Sequence, residues 1–118
     1  MKFLHVTIQT SKFEEEINFY QKYVGLNIQE DMRPLGNPIV FLSGGVDEAC
    51  VEIKENPEAD DAGNKYISIG FKTENAEAKR EEFEKLGLQP TPIISPMPQV
   101  KFFFVKDPAG VNVQFLQR

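Results

Sequence analysis

The chain has one cysteine, Cys50, in 118 residues, so it can form neither an internal disulfide framework nor a multi-cysteine zinc site. A lone thiol suits a reducing compartment, and the expected location is the cytoplasm. No apolar run is long enough to span a membrane, and no membrane partner is expected. The opening MKFLHVTIQT passes straight into strand-like alternation without the basic stretch and long apolar core of a secretory signal. Clustered positive charge is missing too. Thirteen Lys and Arg are scattered among eighteen Asp and Glu, for a net charge of −5, which offers no phosphate-tracking patch and excludes nucleic acid as an expected partner. Low-complexity sequence is also absent. An apolar fraction of 41% and a charged fraction of 26% are ordinary for one domain that buries a core without staples.

What is present is a sequence of short elements. Leu4, Val6 and Ile8 alternate with His5, Thr7 and Gln9, the period of a strand with one buried face. Ser11 and Glu14 form a capping-box pattern, after which Phe13, Ile17, Tyr20 and Val24 fall at helical spacing up to Gly25, a left-handed cap residue. Three strands are expected next, over 26–33, 39–43 and 49–54, separated by Pro- and Gly-containing turns. An acidic stretch rich in turn residues follows.

The same programme then repeats. Ile67, Ile69 and Phe71 alternate, a helix is expected from Asn75 to Leu86-Gly87, and strands are expected over 89–94, 100–106 and 111–117. Asp107-Pro108-Ala109-Gly110 supplies the last turn. Gly25/Gly87, Phe41/Phe103 and Val51/Val113 each keep an offset of 62, whereas Thr10/Thr73 keeps 63. The expected architecture is α+β: two βαβββ modules, 1–56 and 65–118, joined by a linker at 57–64 within one domain. Their curved mixed sheets would enclose a pocket for a small organic molecule, with helices on the outer face.

A sheet covered by a helix on one face leaves the other available for function. Strand parity puts His5, Glu52, Ser68 and Gln114 on that second face, with His5 matching Ser68 and Glu52 matching Gln114 under the repeat. Cys50, Lys54 and Asn112 share the same parity. The run Phe102-Phe103-Phe104 places rings on both faces of one strand. Phe41 and Phe103 are the candidate pocket rings, although a subunit interface would use such rings equally. Arg33 and Lys101 are either receivers of an anionic ligand or ordinary solvated charge. Cys50 is expected as a small buried apolar residue.

Three segments together, His5-Val6-Thr7-Ile8, Asn18-Phe19-Tyr20 leading to Val24-Gly25-Leu26, and Phe104 through Gln114, resemble the vicinal oxygen chelate superfamily. That superfamily includes glyoxalase I, bleomycin-resistance proteins, fosfomycin-resistance enzymes and extradiol dioxygenases. The resemblance runs over the whole chain. It implies paired βαβββ modules, a homodimer, and in metal-dependent members a divalent ion held by one residue from the first and last strand of each module. Here those positions are His5, Glu52, Ser68 and Gln114.

This set departs from the implied pattern, because Ser68 stands where histidine is common and Gln114 where a carboxylate is common. A hydroxyl is a poor ligand and an amide oxygen carries no charge, so metal affinity should fall. The two-histidine, one-carboxylate face of iron dioxygenases lacks its second histidine. His5, Glu52 and Gln114 could still hold a Lewis-acidic ion for a lyase or isomerase. Glu52 could otherwise sit in an ion pair within a metal-free pocket, or act as a general base. Ser68 and Gln114 would then contact the substrate. The expectation is a small-molecule-binding protein of the glyoxalase/bleomycin-resistance type with a degenerate metal site. The rivals are a divalent-metal-dependent lyase or isomerase and a non-catalytic structural or regulatory dimer.

Overall fold

A computed structural model describes residues 1–118 and divides into two compact units, Met1–Asp61 and Ala62–Arg118. In the first, β1 (His5–Thr10) leads into α1 (Phe13–Phe19), which continues as a π-helical turn over Tyr20–Val24. Then come β2 (Asn27–Asp31), β3 (Ile39–Ser43) and β4 (Cys50–Glu55). In the second, β5 (Ser68–Lys72), α2 (Ala76–Lys85), β6 (Ile94–Met97), β7 (Val100–Lys106) and β8 (Asn112–Gln117) follow the same order. The sheets run β1-β4-β3-β2 and β5-β8-β7-β6. Each first strand lies parallel to the last strand of its own unit, and the other pairings are antiparallel.

Helix ends show how the sequence places these elements. Gly25 and Gly87 both adopt left-handed backbone, with φ of 80° and 84°, where the missing Cβ removes a steric cost. At the start of α2, the Asn75 carboxamide accepts the Ala78 amide at 3.0 Å. The first helix corrects the capping-box expectation. Its cap position is Lys12, without a side-chain cap, while the Thr10 hydroxyl accepts the Lys12 amide at 2.9 Å. Because the helix begins one residue later than Ser11 requires, Glu14 is one place too early to close the reciprocal bond. Glu14, Glu15 and Glu16 still fill the first turn, where negative charge suits the helix dipole.

Strand β6 also departs from expectation. Pairing begins at Ile94, after Pro90 and Pro92, whose missing N–H groups interrupt a ladder. Residue 91 nevertheless touches β7, since the Thr91 amide donates to the Phe104 carbonyl at 3.0 Å and the Thr91 hydroxyl accepts the Phe104 amide at 2.9 Å.

The core of the first unit gathers Ile8, Val40, Leu42, Val51 and Ile53 from the sheet with Phe13, Ile17 and Tyr20 from the helical segment, all buried. In the second unit, Phe83 of α2 meets Phe103 and Phe115 at ring separations of 6.0 and 5.0 Å. Phe103 and Phe115 stack at 5.3 Å.

Candidate functional site

Register decides which side chains share the face away from each helix, because residues directly opposite across a ladder point the same way. In the first unit Thr7 lies opposite Glu52 on β1–β4, and Phe41 lies opposite Glu52 on β3–β4. Thr7, Glu52 and Phe41 therefore form one row across three strands. In the second unit, Gly70 and Phe104 flank Gln114 in the same way. A neighbouring row carries His5 opposite Cys50 in the first unit, and Ser68, Asn112 and Lys106 in the second.

The first unit brings two of the expected site residues together. His5 Nε2 lies 3.3 Å from Glu52 Oε1, and the Glu52 side chain is only 13% exposed. That carboxylate also accepts a hydrogen bond from the Thr7 hydroxyl. The His5 ring packs edge-on to Phe41 at a centroid separation of 5.5 Å. Glu52 thus sits on a short strand between buried Val51 and Ile53 without being isolated, because a hydroxyl and an imidazole answer its charge. Such a cluster can hold an imidazole in place, accept a proton, or take a ligand hydroxyl in place of Thr7.

The second unit presents neutral polar groups at the corresponding positions. Gln114 is half-buried and Ser68 exposed. Gly70 stands where the first unit has Thr7, and a Cβ built there would come within 2.9 Å of Gln114 Oε1. The absence of a side chain at residue 70 therefore lets the Gln114 amide lie over β5. Gly70→Ala is expected to leave stability within about 1 kcal/mol, because the obstructing atom ends a flexible side chain. The Gln114 side-chain amide signals in an NMR spectrum should nonetheless shift. Unmoved signals would refute this contact.

Phe103 requires a correction. It is fully buried, packed between Phe83 and Phe115, and so belongs to the helix-covered core and not to the ligand-accessible face. The residue matching Phe41 is Phe104, since each lies opposite the last-strand polar residue of its unit. The offset is 62 between β4 and β8 but 63 between β3 and β7. A one-residue slip exchanges the two faces of a strand. Phe104 and Phe102, whose rings meet edge-on at 5.7 Å, share the face of Gln114. Phe104 and Lys106 are thus the face residues that sequence inspection did not single out, and Thr7, which shares the parity of His5, was not identified as the partner of Glu52. The signal that locates them is cross-strand register, which parity within one strand does not supply.

Other candidates have different neighbours. Arg33 forms a bidentate pair with Asp31, with contacts of 2.9 and 2.7 Å, and lies 3.6 Å from Glu14. Hydrogen bonds from Arg33 hold the Asp31 carboxyl below its ordinary range. Lys101 pairs with Glu77 at 2.6 Å. Protein carboxylates therefore answer both cations. Cys50 is half-buried instead of fully enclosed.

A divalent ion is poorly matched by these donors. The first-unit row offers one imidazole and one carboxylate already engaged by Thr7. The equivalent second-unit positions offer a hydroxyl and an uncharged amide, and nowhere do three or more His, Cys, Asp or Glu side chains gather as a ligand group. Neutral oxygen donors of this kind hold a transition ion weakly.

Two β-α-β-β-β units, each with a helix on one sheet face and a polar row flanked by an aromatic ring on the other, define an α+β scaffold of the kind that carries small-molecule sites. The chain belongs to the Glyoxalase/Bleomycin resistance protein/Dioxygenase superfamily, whose family model matches residues 2–115. It is 25% identical over 126 aligned positions to lactoylglutathione lyase from Neisseria meningitidis, covering 100% of this chain and 91% of that protein. In fold it is similar to glyoxalase I from Leishmania major, with a TM-score of 0.75 at 22% identity, covering 99% of this chain and 86% of that one. The lactoylglutathione lyase structure from Agrobacterium tumefaciens gives a TM-score of 0.72 at 17% identity, covering 98% and 92%. No helix is long and apolar enough to cross a membrane.

Proposed function

We propose that this chain binds a small organic molecule on the helix-free faces of its sheets, using His5, Thr7, Phe41 and Glu52 in the first unit and Ser68, Phe104 and Gln114 in the second. No firmly held metal ion takes part in this reading. The observation that carries it is the state of Glu52. Its carboxylate is nearly buried, and its charge is answered by Thr7 and His5 beside an aromatic ring. An apolar wall with a few oriented polar groups is the usual make-up of a small-molecule site. A ligand hydroxyl taking the place of Thr7 or His5 would donate to Glu52 as acceptor, or meet it as base if the ligand carries an acidic proton.

A second reading is a divalent-metal-dependent lyase or isomerase, with His5, Glu52 and Gln114 as the residues offered to the ion. The His5–Glu52 contact and the similarity to lactoylglutathione lyase favour it. Isothermal titration with Ni²⁺, Zn²⁺ and Mn²⁺ separates the two, using protein purified without chelator or metal-affinity resin. The expected result is binding no tighter than about millimolar, unchanged by His5→Ala or Glu52→Ala, as suits an incomplete donor set. One ion per chain at micromolar affinity, lost in both variants, would replace the first reading with the second.

A further inference from the structure

We propose that the second unit binds the carboxylate of a small apolar monoanion, with Lys106 as the counter-ion. This rests on the reading that the helix-free faces take an organic ligand, and it names the chemistry of that ligand. A cavity of about 440 Å³ opens between the segment following α2 and strands β7 and β8. Leu88 and Phe104 line it with Gln89, Thr91, Lys106 and Asn112. Its volume suits a ligand of modest size.

The charge balance of this cavity is unusual for the chain. The protein carries a net charge of −5, yet no acidic residue lines the cavity and its one charged side chain is a lysine. Six basic side chains, Lys12, Arg33, Lys79, Arg80, Lys85 and Lys101, each have a carboxylate within 4.0 Å, whereas Lys106 is among the seven of thirteen that have none. Lys106 lines the cavity but is itself exposed, and an ammonium without a counter-ion there favours an anion brought by the ligand.

The remaining polar groups narrow the ligand further. The Asn112 amide already donates to the Lys65 carbonyl at 2.8 Å. The Thr91 hydroxyl bonds to Pro92 and Phe104 at 3.2 and 2.9 Å. Lys106 and Gln89 are then the side-chain donors left for a ligand. One cation balances a single negative charge, so a carboxylate matches better than a doubly charged phosphate. Phe104 and Leu88 supply the surface for an apolar body.

The cavity wall is also braced. Arg80 of α2 donates to the Thr91 carbonyl at 2.6 Å and to the Pro90 carbonyl at 3.4 Å, while its other nitrogen pairs with Glu84 at 2.7 Å. Pro90 and Thr91 are therefore held by a guanidinium on the helix, which keeps the opening in shape without a ligand. The first unit has no counterpart. The position equivalent to Lys106, judged from β3–β4 and β7–β8 register, is Ser43, which is buried and bonds to the Gly45 carbonyl at 2.6 Å.

The test compares phenylacetate with 2-phenylethanol, which share an apolar body and differ in charge, by titration of backbone amide NMR signals at low salt. Phenylacetate is expected to bind roughly fivefold more tightly, consistent with one partly exposed ion pair. It should shift the amides of Gln89, Thr91, Lys106 and Asn112. Lys106→Met should equalise the two affinities while leaving that of the alcohol unchanged, Lys106→Arg should keep the preference, and added salt should shrink it. Equal binding of both probes to the wild-type cavity would overturn the carboxylate assignment and leave the ligand-binding reading intact. A preference that survives Lys106→Met, or shifts centred on His5 and Phe41, would overturn it too. Absence of any shift with either probe at millimolar concentration would overturn both.

Discussion

Phe103→Ala is expected to lower stability by about 4 kcal/mol, since truncating a buried phenylalanine removes its transfer energy and leaves a cavity. Phe103 is fully enclosed between Phe83 and Phe115, and neither ring can collapse into the space without leaving its own packing. Phe104→Ala, one residue further along β7, should cost only about 1 kcal/mol, because its ring lies on the half-exposed face and buries less area. Guanidinium denaturation of both variants measures the difference directly. For a domain of ordinary total stability, about 5–15 kcal/mol, the first substitution removes a large share. Equal losses in the two variants would show that the facing of β7 assigned here is wrong.

Asp107→Ala is the second large effect. The Asp107 side chain is buried and accepts the amides of Ala109 and Val111, both at 2.9 Å. The backbone closes the same turn, with the Asp107 amide donating to the Val111 carbonyl at 2.9 Å and the Gly110 amide to the Asp107 carbonyl at 3.0 Å. Gly110 is left-handed, at φ 86°. Removing the carboxylate strands two amide donors, each worth about 1–2 kcal/mol when left unsatisfied, so the expected loss is about 3 kcal/mol. Asp107→Asn keeps one acceptor oxygen and should lose about 1 kcal/mol. A thermal melt in which alanine and asparagine behave alike would indicate that the hydrogen bonds are not the cause.

These two residues also mark the extent to which the sequence is legible. Asp107-Pro108-Ala109-Gly110 announces its turn because each residue has a local backbone reason to be there. Gly25 and Gly87 likewise mark helix ends through local chemistry. Strands β3 and β7 match their expected bounds because each is a short apolar run between turn residues. The repeat, the α+β class and the family follow from such local signals recurring in order. His5 and Glu52 share a face as parity requires, and they come within contact distance.

The failures are matters of register. Phe41 and Phe103 keep the same spacing as Val51 and Val113 in the chain, yet the true partner of Phe41 is one residue further on. Nothing local distinguishes Phe103 from Phe104. Only the pairing of β7 with β8 does so, and that pairing is set by contacts distant in sequence. Thr7 was hidden for the same reason, because its relation to Glu52 runs across a ladder and not along a strand. The shifted start of α1 and the late start of β6 reflect competition at element ends between side-chain caps, proline and tertiary contacts.

The parallel pairing of β1 with β4 has a consequence for the order in which the chain assembles. His5 meets Cys50, and Ser68 meets Asn112, so the opening strand of each unit is captured only by the last one to be synthesised. Closing a segment of this length costs about 3 kcal/mol of chain entropy. Helix and hairpin contacts close in sequence can form during that wait, whereas the opening strand has no ladder partner within its own unit other than that last strand. While a ribosome is still extending the polypeptide, His5–Thr10 therefore remains an unpaired edge until residues 50–55 have emerged, and Ser68–Lys72 remains one until residues 112–117 have followed.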